Sequence, residues 1–103
     1  MFLVRDIMYC KPGQVRPMVQ KFLAIDKLGH QMGMGAMRIM TDVTAERYWT
    51  VVSEMEVPNL KAFEDMMSGQ GQNASDAKEF ENIMKGYHEL VEHGRREIYK
   101  VEG

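Results

Sequence analysis

A single cysteine, Cys10, in 103 residues leaves no internal disulfide to hold the fold together. Proline is nearly as scarce, and its three occurrences, Pro12, Pro17 and Pro58, punctuate the chain rather than interrupt its apolar segments. No excess of one charge sign exists either: 13 basic and 15 acidic side chains give a formal net charge of -2, which offers no electrostatic footprint for nucleic acid. Long hydrophobic runs are missing. Met1-Phe2-Leu3-Val4 meets Arg5 and Asp6 before reaching signal-peptide length, and nothing approaches the roughly 18 apolar residues of a membrane span. The expectation is a cytoplasmic protein that engages no membrane. Asn73-Ala74-Ser75 spells a glycosylation acceptor, but without a secretory route the match has no consequence.

What is present is a 45% hydrophobic, 27% charged chain whose length fits one domain, residues 1-103, with limited surface to bury alone. Residues 2-10 read as a strand with Phe2, Val4, Met8 and Cys10 on one side and Leu3, Ile7 and Tyr9 on the other. Successive strand residues point to opposite faces, so a strand apolar on both needs two covers. Lys11-Pro12-Gly13 ends it. From about Arg16 to Leu28, Met18, Val19, Phe22, Leu23 and Ile25 follow helical spacing, with Pro17 in the first turn, where its missing N–H costs nothing. That helix runs out in the stretch Gly29 to Gly35, whose three glycines permit a turn and disfavour further helix.

Residues 36-43 and 47-57 read as an antiparallel hairpin joined through Thr44-Ala45-Glu46, with Trp49, Val51 and Met55 opposite Tyr48, Thr50 and Val52. Pro58 stops the second strand. Asn59 can cap a short helix buried through Leu60, Phe63, Met66 and Met67. After a polar loop from Ser68 to Ala74, Ser75 or Asn73 can cap a longer helix over about 76-93, with Ala77, Phe80, Ile83, Met84, Tyr87, Leu90 and Val91 as its stripe and His93-Gly94 as its end. Residues 95-102 make the last strand, which Arg95-Arg96 opens as a solvated pair.

The order strand, helix, strand, strand, broken helix, strand predicts an α+β fold: a ferredoxin-like βαββαβ sandwich with a four-stranded antiparallel sheet and its helices on one face. A second copy is the natural cover for the bare face. The chain resembles the dimeric α/β barrel superfamily, near its NIPSNAP-like and antibiotic-biosynthesis-monooxygenase-like small proteins. The resemblance rests on Lys11-Pro12-Gly13, on Tyr48-Trp49-Thr50-Val51-Val52-Ser53, and on the run from Tyr87-His88-Glu89 through Glu97-Ile98-Tyr99. It implies a homodimer and a repertoire that includes cofactor-free quinol or polyketide monooxygenases, haem-degrading enzymes, isomerases and dimers without assigned activity. Such a fold does not choose a function. The haem-degrading branch uses an asparagine on strand one, a tryptophan on strand three and a histidine in the next helix. This sequence offers Trp49, but strand one has no asparagine and Leu60 to Ser68 no histidine, so haem degradation is disfavoured.

Among single residues, His88 beside Tyr87 is a general acid or base candidate, because an imidazole titrates near pH 6.5, or else a boundary histidine of the helix. His93 reads as a helix cap and His30 as a loop residue. The histidines show neither H-E-x-x-H nor a cysteine-rich companion, so no metal and no cofactor is expected. Cys10 reads as a buried strand-end residue rather than a nucleophile. Asp6 and Arg38 interrupt apolar strands; each is a paired core charge, a polar anchor for a ligand or, the favoured reading, half of an ion pair at a dimer interface. Trp49 and Tyr48 offer a flat wall for an aromatic ligand or simple packing, and 11 methionines either fill the core or line an adaptable pocket. Gly69-Gln70-Gly71-Gln72-Asn73-Ala74 fits G-x-G-x-x-A as a string, but a helix precedes it where a dinucleotide site needs a strand. It reads instead as a loop at the rim of a pocket.

The sequence thus supports a homodimer that binds a small apolar or aromatic molecule between sheet and helices. Trp49, Tyr87 and His88 are the proposed contacts, on the helix-facing side near the Ser68 to Ala74 loop. The alternative is a cofactor-independent monooxygenase or isomerase acting on a small aromatic or polyketide-like substrate, with His88 catalytic.

Overall fold

The computed structural model describes residues 1–69 and 73–103. Four strands, β1 (Phe2–Cys10), β2 (Met37–Thr41), β3 (Thr50–Val57) and β4 (Val91–Lys100), form one antiparallel sheet in the order β2-β3-β1-β4. Between them run the helices α1 (Val15–Gln31), α2 (Leu60–Met67) and α3 (Ala74–Met84), followed by a single 3₁₀ turn at Tyr87–Glu89. This is the expected ferredoxin-like βαββαβ arrangement.

The two-sided character of β1 is real. Val4 and Cys10 bury against the helices: Val4 joins Val57 and Phe63, and Cys10 joins Met18, Val19, Phe22, Val51 and Val91. Ile7 and Tyr9 alternate onto the opposite face and are buried as well. Register partners share a face, so Val52 opposite Ile7 and Met40 opposite Val52 carry this second apolar row toward β2. On the helix side α1 supplies the main cover through Met18, Val19, Phe22 and Leu28.

Several boundaries differ from the expectation, each for a local reason. α1 continues through Gly29 and His30 to Gln31. His30 therefore lies in the last helical turn, 3.4 Å from the Asp26 carboxylate, and not in a loop. The hairpin connection is longer than three residues: the segment 42-49 lies outside the strands, and Trp49 adopts φ 61, a left-handed conformation incompatible with extending β3 backwards. The largest correction concerns the helix expected over 76-93. It ends at Met84, because Gly86 turns left-handed at φ 81, and the chain then makes a 3₁₀ turn and enters β4 at Val91. Tyr87 and His88 thus stand on a turn, and His93 on a strand rather than a helix cap. Asn59 and Asn73 do cap α2 and α3, their side chains accepting from the N–H groups of Ala62 and Asp76 at 2.8 Å each. Of the apolar positions expected to bury α2, Phe63 does so, whereas Leu60 and Met67 are exposed.

The helical layer sits chiefly over β2, β3 and the adjoining half of β1. The helix side of β4 is therefore left open beside the 3₁₀ turn.

Candidate functional site

An open cleft of about 410 Å³ occupies that gap, lined among others by Asp6 and Met8 of β1, Tyr87 and His88 of the turn, and Val91 and Arg96 of β4. The early end of α3 creates it: Gly86 drops the chain onto the sheet edge, and Tyr87 and His88 then follow each other with ring centroids 3.9 Å apart at 34°. At its floor Arg96 Nε donates to Asp6 Oδ1 at 2.6 Å. Asp6 is thus a paired charge. It pairs within its own chain on the helix side of the sheet; Arg96 also places its guanidinium 5.2 Å from the centroid of Phe63. Gly94 permits the cleft to be as deep as it is, since a Cβ there would stand 2.8 Å from Met8 Sδ and 3.2 Å from the Ile7 carbonyl oxygen. The result is a mixed wall of aromatic, thioether and ion-paired groups, suited to a flat molecule with a polar end.

Trp49 lies elsewhere. With Val15, Thr41, Asp42 and Tyr48 it lines a second depression, beside the connection between β2 and β3. Holding a tryptophan at φ 61 costs about 1–3 kcal/mol and persists only where the surroundings dictate it. Here they do: the Trp49 carbonyl accepts from Cys10 N–H at 2.8 Å, Thr50 N–H donates to Asp42 Oδ1 at 2.9 Å, and Thr50 Oγ1 donates to the Arg47 carbonyl at 2.8 Å. Of the three residues singled out from sequence, Tyr87 and His88 are brought together and Trp49 is not among the residues lining their cleft.

The opposite face of the sheet is chemically distinct. Arg38, Glu54, Arg5 and Glu97 follow one another in register across all four strands as a row of alternating charge. Arg5 Nη2 is 2.6 Å from Glu54 Oε2, and its Nη1 is 3.6 Å from Glu97 Oε1. Tyr99 donates to Glu97 Oε1 at 2.9 Å; that hydrogen bond, aided by the Arg95 and Arg5 guanidinium groups, holds the Glu97 carboxyl below its usual range and pushes the Tyr99 phenol up. At one end of this face Arg47 reaches from the hairpin connection over the Tyr9 ring, 4.6 Å from its centroid, to Glu92 at 2.9 Å.

Three solved structures superpose on nearly the whole chain. An uncharacterized NIPSNAP domain protein from Burkholderia xenovorans matches at TM-score 0.71 and 12% identity, covering 99% of this chain and 95% of the other. A protein from Agrobacterium tumefaciens matches at 0.68 and 12%, covering 99% and 94%, and a NIPSNAP-like domain protein from Burkholderia xenovorans at 0.68 and 13%, covering 98% and 84%. The chain shares the NIPSNAP-like, ferredoxin-like fold. At this level of identity the likeness is one of architecture. The sequence matches no protein-family model and no curated protein.

Within the NIPSNAP-like fold the remaining candidates take ordinary places. Cys10 is buried at the end of β1, where burial pushes its thiol up and away from nucleophilic use. Arg38 stands exposed on the open face, opposite Glu54. Of the expected pocket rim between Ser68 and Ala74, residues 70-72 lie outside the described residues. Among the described residues no group of three or more His, Cys, Asp or Glu side chains could hold a metal ion, and no helix is long and apolar enough to cross a membrane. Sequence reasoning missed Asp6–Arg96 as part of the cleft, although the alternation of β1 and β4 places both on the face of Val4 once the register is known.

Proposed function

We propose that this chain is a homodimeric binding protein for a small aromatic molecule with a polar end, held in the cleft of Tyr87 and His88. The observation that carries the reading is the cleft itself: about 410 Å³, within the range of small-molecule sites, with two aromatic rings on one wall and the Asp6–Arg96 pair at its floor. Dimerisation is supported by the open face, where Val52 and Met40, only partly covered, continue the row of the buried Ile7 and are flanked by alternating charges. Such a pattern can meet a second copy of itself across a two-fold axis, positive against negative.

The test is a fluorescence titration with the aromatic sulfonate 8-anilinonaphthalene-1-sulfonate. Saturable binding that weakens in Tyr87→Ala and His88→Ala but not in Trp49→Ala supports the assignment. Equal binding by parent and both cleft variants overturns it. A second reading is favoured by His88, whose imidazole is exposed in the cleft beside Tyr87 and makes no ion pair among the described residues. It is a cofactor-independent monooxygenase or isomerase in which His88 takes the proton of a bound phenol or enol. Oxygen uptake with a hydroquinone, lost in His88→Ala, would select it over simple binding.

A further inference from the structure

The depression around Trp49 has a composition that the first cleft lacks: two exposed aromatic side chains and one carboxylate, with no basic residue among those lining it. Tyr48 is 83% exposed and Trp49 44%, an unusual outlay of aromatic surface for two neighbouring residues. Asp42 lines the same hollow. Its Oδ1 is committed to the Thr50 N–H, and its Oδ2 accepts no hydrogen bond among the described residues. The nearest cation of the connection, Arg47, is directed away, across Tyr9 to Glu92 on the far edge strand.

We infer that this hollow, of about 430 Å³, is a second binding site, for a small organic cation of the quaternary or protonated amine class. The faces of Tyr48 and Trp49 supply the negative quadrupole that attracts an alkylammonium group, and Asp42 supplies the full countercharge. An anion is disfavoured by the same carboxylate. The left-handed backbone of Trp49 fits this role, because an extended residue 49 would continue β3 and carry the indole along the strand, whereas φ 61 turns it at the strand's start. The location keeps the site independent of dimerisation. Thr41 is the register partner of Val51, which is buried against α1, and Val15 belongs to α1 itself, so the hollow lies on the helix side and not on the open face.

Trp49 is the only tryptophan of the chain, so its emission reports directly on occupancy. The experiment titrates the full chain with tetramethylammonium chloride, using sodium chloride at equal ionic strength as the control. A saturable change in emission with the first salt and not the second is expected, with the dissociation constant raised about tenfold in Asp42→Asn, which keeps the oxygen that accepts from Thr50 and removes the charge. Tyr48→Ala should weaken binding similarly. Being so exposed, that side chain has little packing to lose, and it keeps the test decisive if Asp42→Asn fails to fold. His88→Ala should bind the cation like the parent. No saturable change, the same change with sodium chloride, or parental affinity in both Asp42→Asn and Tyr48→Ala would overturn the assignment.

Discussion

Lys21 of α1 places its ammonium 2.7 Å from the backbone carbonyl oxygen of Lys85, and 2.8 Å from that of Ile83. A side chain on the polar flank of one helix thereby closes the last turn of another. Helix ends leave carbonyls without intrahelical donors, and a cation there also meets the negative end of the helix dipole. This contact, together with the left-handed Gly86, defines where α3 stops and where the turn bearing Tyr87 and His88 begins.

Lys21→Met keeps the aliphatic stem and removes both donated bonds. Because the contacts are partly exposed, the expected loss is about 1–2 kcal/mol, at or below the usual worth of a charged hydrogen bond. Urea denaturation should show it, and amide exchange should quicken selectively in the last turn of α3. Unchanged exchange there would mean that Gly86 alone terminates the helix.

The core of α1 provides a contrast between neighbours. Met18 is fully buried between α1 and the sheet, whereas Leu23, which the helical spacing also places on the apolar stripe, is half exposed. Met18→Ala should cost about 2–5 kcal/mol through lost contacts and a cavity. Leu23→Ala should remain within about 0.5 kcal/mol of the parent. Similar losses for both would show that Leu23 is covered in the native assembly.

Period-two alternation made β1 legible on both faces, and the breakers at Pro12 and Pro58, with the caps at Asn59 and Asn73, marked real boundaries. What periodicity could not supply was the behaviour of single backbone positions. Phe80, Ile83, Met84 and Tyr87 continue a helical stripe smoothly through Gly86, and nothing in that spacing reveals that Gly86 turns left-handed. Likewise Trp49 alternates well with Val51 as a strand residue, yet its φ of 61 breaks the strand before Thr50. The proposed site consequently divided into two. Asp6 and Arg96 are 90 positions apart, and only the β1–β4 register joins them.

Protonation on the open face gives a dependence with a defined sign. Glu97 has its pKa lowered in the folded chain, first by the Tyr99 hydroxyl, so its contribution is present above the unfolded value of about 4.3 and is lost as pH falls through the lower folded value. Tyr99 has its pKa raised, first by the hydrogen bond to Glu97, so its contribution is present below the ordinary tyrosine value of about 10 and is lost as pH rises through the higher folded one. Tyr99 is exposed and Glu97 half-buried in the single chain, so solvent screens the pair and the effects should be small. Urea midpoints of parent and Glu97→Gln should converge as pH is lowered from 7 to 3, and those of parent and Tyr99→Phe should converge above about pH 10. Parallel profiles would show that the Tyr99–Glu97 bond adds nothing to stability.

The proposed dimer makes the same face decisive. Val52 lies between its register partners Ile7 and Met40, in the middle of the apolar row, and is itself only partly covered within one chain. Light scattering at micromolar concentration should therefore give twice the 11.9 kDa mass of the chain. A charge at position 52 would be buried without a partner in the dimer, yet it can reach water in a single chain. Val52→Glu should accordingly reduce the mass to that of one chain, or unfold the protein if the monomer is too weak to stand alone. Native circular dichroism in a parent protein of monomer mass would refute the dimer, and a dimeric Val52→Glu would place its interface on another surface.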